Sequence, residues 1–172
     1  MGPSPAWLRG LMLALAVIAS GCGYYSFTGA SIPAHLTTIA IPLADDNAAS
    51  PIGTLDEQFT LLLQDRFVGR TRLVLEPDET QADALLTAVI ERYTNQPAAV
   101  GGEDRAALSR VTIGVRVRYF DQAENQEVLN RTFSNSQDYD PATEGLEGEI
   151  AAATTALENI ADDVFTAATS NW

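Results

Sequence analysis

Val111-Thr112-Ile113-Gly114-Val115-Arg116-Val117-Arg118-Tyr119 alternates strictly between apolar residues and small, polar or charged ones. Successive side chains of an extended strand point to opposite faces, so Val111, Ile113, Val115, Val117 and Tyr119 share one face and Thr112, Gly114, Arg116 and Arg118 the other. Such a strand is buried on one side only, and its apolar face requires a second layer of structure. Asp121 to Gln126 reads as a turn, and Glu127 to Ser134 returns as the hairpin partner.

Upstream, Ala84 to Tyr93 reads as another strand, with Leu85, Val89 and Tyr93 set against Thr87 and Glu91. Residues 95–107, with Pro97, Gly101 and Gly102, read as a long loop. Leu73-Val74-Leu75 is a short strand. Leu36 to Ile41 is a β-type run closed by Pro42, and residues 44–53 form a loop. Thr54-Leu55-Asp56-Glu57 has the form of a capping box, in which Thr54 accepts from the Glu57 amide and Glu57 reaches back. Leu55, Phe59, Leu62, Leu63 and Phe67 then fall on one helical face, and Gly69 is the expected stop. A second helix begins near Asp140-Pro141, with proline at its first position. Its stripe is Leu146, Ile150, Ala153, Leu157, Ile160 and Val164, with Glu147, Glu158 and Asp162 outside it. Gly145 and Gly148 are expected to weaken its first turns by about 1 kcal/mol each relative to alanine. The order β-α-β-β-β-β-α predicts an α+β two-layer sandwich: a small, mostly antiparallel or mixed sheet with two helices packed on one face.

Before this domain stands Arg9, then an apolar run from Leu11 to Ala19, then Ser20-Gly21-Cys22. The run is too short to span a bilayer as a helix but suits a signal-peptide core. Ala19-Ser20-Gly21-Cys22 resembles a bacterial lipobox. Residues 1–21 are therefore expected to be removed and Cys22, the only cysteine, to carry acyl chains such as palmitate; each buried methylene adds about 0.8 kcal/mol to membrane attachment. Residues 22–34 read as a lipid-anchored linker and 35–172 as one domain. Gly23, where an aspartate would resemble an inner-membrane retention signal, favours the outer membrane, with the domain on its periplasmic side. Acylation of Cys22 leaves no thiol for a disulfide. Cleavage removes one arginine and no acid, taking the net charge from −13 to −14. There is no lysine. So acidic a chain argues against nucleic acid as a partner, which needs a basic face.

Several stretches line up with one family. Gly21-Cys22-Gly23-Tyr24-Tyr25-Ser26-Phe27-Thr28-Gly29, followed by Ile32 to Pro42, resembles the start of LptE-type lipopolysaccharide-assembly lipoproteins in their Bacteroidetes-like form. The helix ending Asp65-Arg66-Phe67, Ala82-Asp83-Ala84-Leu85-Leu86 entering a strand, and Val115-Arg116-Val117-Arg118-Tyr119-Phe120-Asp121 are similar to the same family. The resemblance implies two helices on one face of a small sheet. It also implies a non-catalytic outer-membrane partner of the LptD β-barrel, seated partly in its lumen, that assists barrel assembly and lipopolysaccharide delivery.

Arg110, Arg116, Arg118 and Arg131 are the candidate contacts to a ligand or barrel. Arg116 and Arg118 are about 6.7 Å apart along one strand face, and Arg131 lies on the other hairpin arm. Clustered guanidinium groups suit phosphates and carboxylates. The alternative is a solvated outer face, with acids such as Glu127 opposite. His35 lacks a second histidine or a free cysteine beside it and reads as a surface loop residue, not a metal ligand. Asp45-Asp46 and Asp162-Asp163 lack calcium-loop spacing. Ser109, Ser134 and Ser136 sit in no nucleophile motif, no glycine-rich phosphate loop occurs, and the chain implies no metal or cofactor. The Ala-rich stripe from Ala151 to Ala168 suits close helix packing. Two other functions stay open: another periplasmic assembly or secretion lipoprotein, such as a cell-wall synthase activator or secretion-pore component, and an exported hydrolase using Asp45 or Asp46, which lacks a second group to complete its site.

Overall fold

In the computed structural model, which describes residues 32–98 and 108–170, the chain runs β1 (Thr38–Ala40), β2 (Asp45–Asp46), α1 (Leu55–Gly69), β3 (Val74–Leu75), β4 (Ala84–Pro97), β5 (Ser109–Asp121), β6 (Gln126–Tyr139) and α2 (Gly145–Thr169). The strands form one mixed sheet in the order β3-β1-β4-β5-β6, with β2 also pairing with β4. The three long strands β4, β5 and β6 are antiparallel, whereas β1 runs parallel to β3 and β4, and β2 parallel to β4. Parallel neighbours need a crossover, and α1 supplies it between β1 and β3. The architecture is the α+β sandwich expected from the sequence, with β2 as an addition inside the segment read as a loop.

β5 keeps its alternation throughout: Val111, Ile113, Val115 and Val117 are fully buried and Tyr119 nearly so. The Tyr119 ring meets Phe67 of α1 at a centroid distance of 5.8 Å, and Phe67 meets Phe165 of α2 edge-on at 5.4 Å. Three elements are thereby locked into one core. The helices run side by side in the same direction, joined by Thr154 to Gln58 and by Asp162 to Arg66 and Arg70. Small side chains allow their close approach: Ala152, Ala153, Ala156, Ala161 and Ala168 are all buried.

β4 corrects the sequence reading of its faces. Ala84, Leu86, Ala88 and Ile90 are buried toward the helices, whereas Leu85, Thr87 and Val89 lie on the other face, half-buried. A bulge between Ile90 and Arg92 leaves Glu91 as the extra residue and reverses the phase. Tyr93 therefore returns to the helix side, where its hydroxyl donates to Glu149 at 2.6 Å. Gly114 stands opposite Arg92, and a Cβ there would approach the Arg92 Cβ to 3.3 Å. The strand runs on to Pro97; residues 99–107 of the expected loop lie outside the described residues.

The helix starts also differ from the sequence reading. Thr54 has ψ near 9° instead of an extended value, so its hydroxyl does not cap the Glu57 amide; it accepts from the Gln58 side chain instead. Leu62 is only half-buried, and Leu55, Phe59, Thr60, Leu63 and Phe67 form the buried face of α1. Asp140 caps a preceding turn by accepting from Ala142 and Thr143, and α2 begins at Gly145. Leu146 and Ile150 are exposed, so the buried stripe starts at Gly148. Gly145 adopts φ +56°, and a Cβ on Gly148 would lie 2.9 Å from the Tyr139 ring and 2.5 Å from the Glu144 Cβ. The two glycines fit the junction of β6 with α2.

Leu63→Ala and Ile160→Ala are each expected to cost about 2–5 kcal/mol in chemical denaturation, and the half-exposed Leu62→Ala clearly less. Gly148→Ala is expected to destabilise by about 1–3 kcal/mol despite alanine's better helix propensity, because the added methyl has no room.

Candidate functional site

The sheet face turned away from the helices carries three of the four candidate arginines. Arg110 makes two hydrogen bonds to Asp138, from Nε at 2.6 Å and from Nη2 at 2.8 Å. Arg116 Nε donates to Glu91 at 2.6 Å, and Arg118 Nε to Glu127 at 2.8 Å. The bulge in β4 is what supplies Glu91 to Arg116. Thr132 adds a contact to Glu91, Asn130 contacts Glu127, and Thr112 and Ser136 join across β5 and β6 at 2.8 Å. The Arg118 guanidinium also lies over the Phe120 ring, 5.4 Å from its centroid. Hydrogen bonding from Arg110 holds the Asp138 carboxyl below the usual carboxylate range, and Asp138 in turn raises Arg110. A depression of about 350 Å³ lies among Thr87, Val89, Arg116, Arg118, Glu127 and Asn130.

Three guanidinium groups thus face three carboxylates, and Arg92, opposite Gly114, adds a fourth arginine to the same face. This arrangement matches the alternative of a paired, solvent-facing sheet more closely than a set of free cations awaiting an anion. Each pair is about half exposed, so its worth in stability is roughly 0–1 kcal/mol.

Arg131 does not join this group. A bulge between Tyr119 and Phe120 leaves Val128 as the extra residue of β6, and the shifted register sets Arg131 beside Val117. It therefore lies on the helix-facing side, with its guanidinium 4.3 Å from the Phe133 ring centroid. Cys22 lies outside the described residues.

At the end of the sheet the structure assembles a cluster that the sequence reading of His35 as an isolated loop residue missed. His35 Nε2 and Asp121 Oδ2 are 2.6 Å apart, and Nδ1 faces Glu124 Oε1 at 3.8 Å. Asp121 is fully buried and also accepts from the Glu124 amide. Hydrogen bonding to Asp121, aided by the nearby charges of Asp121, Glu124 and Asp83, raises the His35 pKa above 6.5 despite an opposing desolvation. These donors lie within 4.8 Å of one another. However, two ligands of one tetrahedral ion stand roughly 3.3 Å apart, so the His35–Asp121 separation is that of a hydrogen bond. Nearby, Asp83 accepts from the Thr37 hydroxyl and from the amides of Thr37 and Thr38, which holds its pKa down at about 2.

The remaining acidic pairs have structural partners. Asp46 accepts from Ala48 and Ser50 in its own loop, and Asp162 pairs with Arg66 and Arg70. Between the helices lies an apolar groove of about 480 Å³ lined by Gln58, Leu61, Leu62, Asp65 and Thr154. Among the described residues, no helix is long and apolar enough to cross a membrane.

A two-helix layer on a mixed sheet, with a paired polar outer face, defines a class of small two-layer α+β proteins. The family described as LptE, lipopolysaccharide-assembly, matches residues 36–168, and the chain belongs to it. No curated protein matches. Among solved structures, the hypothetical protein CT253 of Chlamydia trachomatis is similar with a TM-score of 0.55 and 13% identity, over 79% of this chain and 99% of that one. Protein XCC0632 of Xanthomonas campestris gives 0.50 and 14%, over 78% and 83%. PelC of Paraburkholderia phytofirmans, a dodecamer, gives 0.50 and 12%, over 81% and 94%. These likenesses are of fold.

In a double-mutant cycle on Arg118 and Glu127, the coupling is expected to stay below about 1 kcal/mol and to shrink further in high salt. A value of several kcal/mol would mean that the pair is sealed from solvent.

Proposed function

We propose that this protein is a non-catalytic outer-membrane lipoprotein, held by acyl chains on Cys22 on the periplasmic side, that partners an LptD-like β-barrel in lipopolysaccharide transport. The LptE family match across residues 36–168 carries this reading. The lipobox-like Ala19-Ser20-Gly21-Cys22 supports the anchor.

The sheet face bearing Arg110, Arg116 and Arg118 is the contact to the barrel. It is broad because β4, β5 and β6 are each thirteen or fourteen residues long. It is polar, and Arg110, Arg116 and Arg118 are each paired with a carboxylate, so these three can meet a barrel wall without being stranded. A paired guanidinium exchanges one partner for another at little net cost, whereas an unpaired buried charge is expensive. At a net charge of −14 the whole molecule repels anions at long range, so any attraction to the phosphates of lipopolysaccharide must act within the screening length of roughly 8 Å. Lipopolysaccharide is accordingly a secondary partner, met locally once the barrel complex has formed.

The test is co-purification of the tagged chain with a β-barrel from detergent-solubilised outer membranes, read by mass spectrometry. The wild-type chain is expected to bring down the barrel. Arg116→Glu with Arg118→Glu sets like charges against Glu91 and Glu127, which costs folding little and is expected to weaken the association. Adding Glu91→Arg and Glu127→Arg restores opposite charges across both pairs and is expected to recover part of it. Cys22→Ala is expected to leave the chain unacylated and to shift it out of the membrane fraction. Co-purification and complementation of a deletion strain by the double arginine variant at wild-type level would rule out this face.

A further inference from the structure

The His35–Asp121 pair sits where the segment leading from Cys22 joins the domain, thirteen residues beyond that cysteine. Two fastenings hold the lead-in segment there. On one side, the Arg72 guanidinium donates to the carbonyls of Ile32 at 2.9 Å, Pro33 and Leu36 at 3.4 Å. A guanidinium stays protonated at every physiological pH, so this fastening does not change with acidity. On the other side, His35 grips Asp121 at the end of β5. Between them, the fully buried Leu36 side chain plugs into the core, and its amide donates to Pro33 at 3.1 Å.

Asp121 is a fully buried carboxylate that pairs with His35 and lies within electrostatic reach of the buried Tyr119. A buried charge is tolerated when it is paired and costly when the counter-charge leaves. Facing the imidazole are Asp121 from β5, Glu124 from the β5–β6 turn and Asp83 from the start of β4; all three are acids. Asp83 is already satisfied by Thr37 and Thr38, and Glu124 is largely exposed, which leaves Asp121 as the group whose burial depends on the proton of His35.

We propose that His35 and Asp121 form a proton-operated clasp that tightens the lead-in segment onto the sheet in acid and loosens it as the medium becomes alkaline. When His35 is protonated, the contact is a charge-assisted hydrogen bond between ions. When it is neutral, the imidazole still hydrogen-bonds the Asp121 carboxyl, but the attraction between opposite charges is lost and the Glu124 amide remains as the carboxyl's other donor. The sign follows from linkage: the folded-state pKa lies above the unfolded one, so the stabilisation is complete below about pH 6.5 and is lost as pH rises through the raised folded value. Arg72 keeps the segment docked throughout, so the clasp changes the stiffness of the connection between anchor and domain without detaching it. This inference stands apart from the barrel assignment; only its placement near the membrane rests on acylation of Cys22.

The chain has a single histidine, so its imidazole signal in proton NMR is read without ambiguity. In the full-length chain purified in detergent, His35 is expected to titrate above the 6.5 of a free imidazole. The value is expected to fall in Asp121→Asn, while Glu124→Gln lowers it less. Amide exchange at Leu36 and Glu124, corrected for base catalysis, is expected to lose protection severalfold across the same range, and His35→Gln is expected to abolish that pH dependence. A wild-type His35 titrating at or below 6.5 overturns the clasp whether or not Asp121→Asn folds. So does an identical pH dependence of Leu36 exchange in His35→Gln and wild type. Neither readout requires a barrel.

Discussion

The structure depends on the one-sided burial of β5. Both of its edges are taken by long antiparallel strands and one of its faces is sealed by two helices. Val111, Ile113, Val115, Val117 and Tyr119 must point to the helices, so every residue paired with β5 inherits a face from the register. Tyr119, Phe67 and Phe165 then tie strand and helices together. Once these faces are set, Arg110, Arg116 and Arg118 are forced outward, and the carboxylates that meet them are chosen by register and bulge positions.

That dependence explains what was legible in the sequence. Strict alternation made β5 and its hairpin readable, and helical spacing gave both helices. The faces of β4 are not legible in the same way, because Leu85 and Val89 are apolar yet lie on the outer face and Glu91 is an extra residue that reverses the phase before Tyr93. An unbulged hairpin would set Arg131 on the face of Arg116 and Arg118; the extra residue Val128 moves it to the other. A bulge has no spacing signature of its own, since it appears only when two strands are laid together. Leu146 and Ile150 fit the helical period of α2 but are left uncovered at its start. The His35–Asp121 pair joins residues 86 positions apart, and no local pattern announces such a contact.

The physical character of the outer face narrows the functional reading. A cluster of arginines taken from the sequence alone suggests a site for phosphates. With Glu91, Glu127 and Asp138 placed against them, the same arginines are paired and not free, which supports the proposed protein contact over anion capture. This agrees with a chain whose net charge is strongly negative and whose family is one of assembly proteins.

The most direct measurement is site-specific photocrosslinking in cells. A crosslinking residue replaces Thr132, exposed on the outer face of β6, or Thr155, exposed in α2 of the helical layer. The expected result is a crosslink to an LptD-like barrel from Thr132 and none from Thr155. Barrel crosslinks from Thr155 alone would contradict the account, because the helical layer and not the paired sheet face would then be the docking surface.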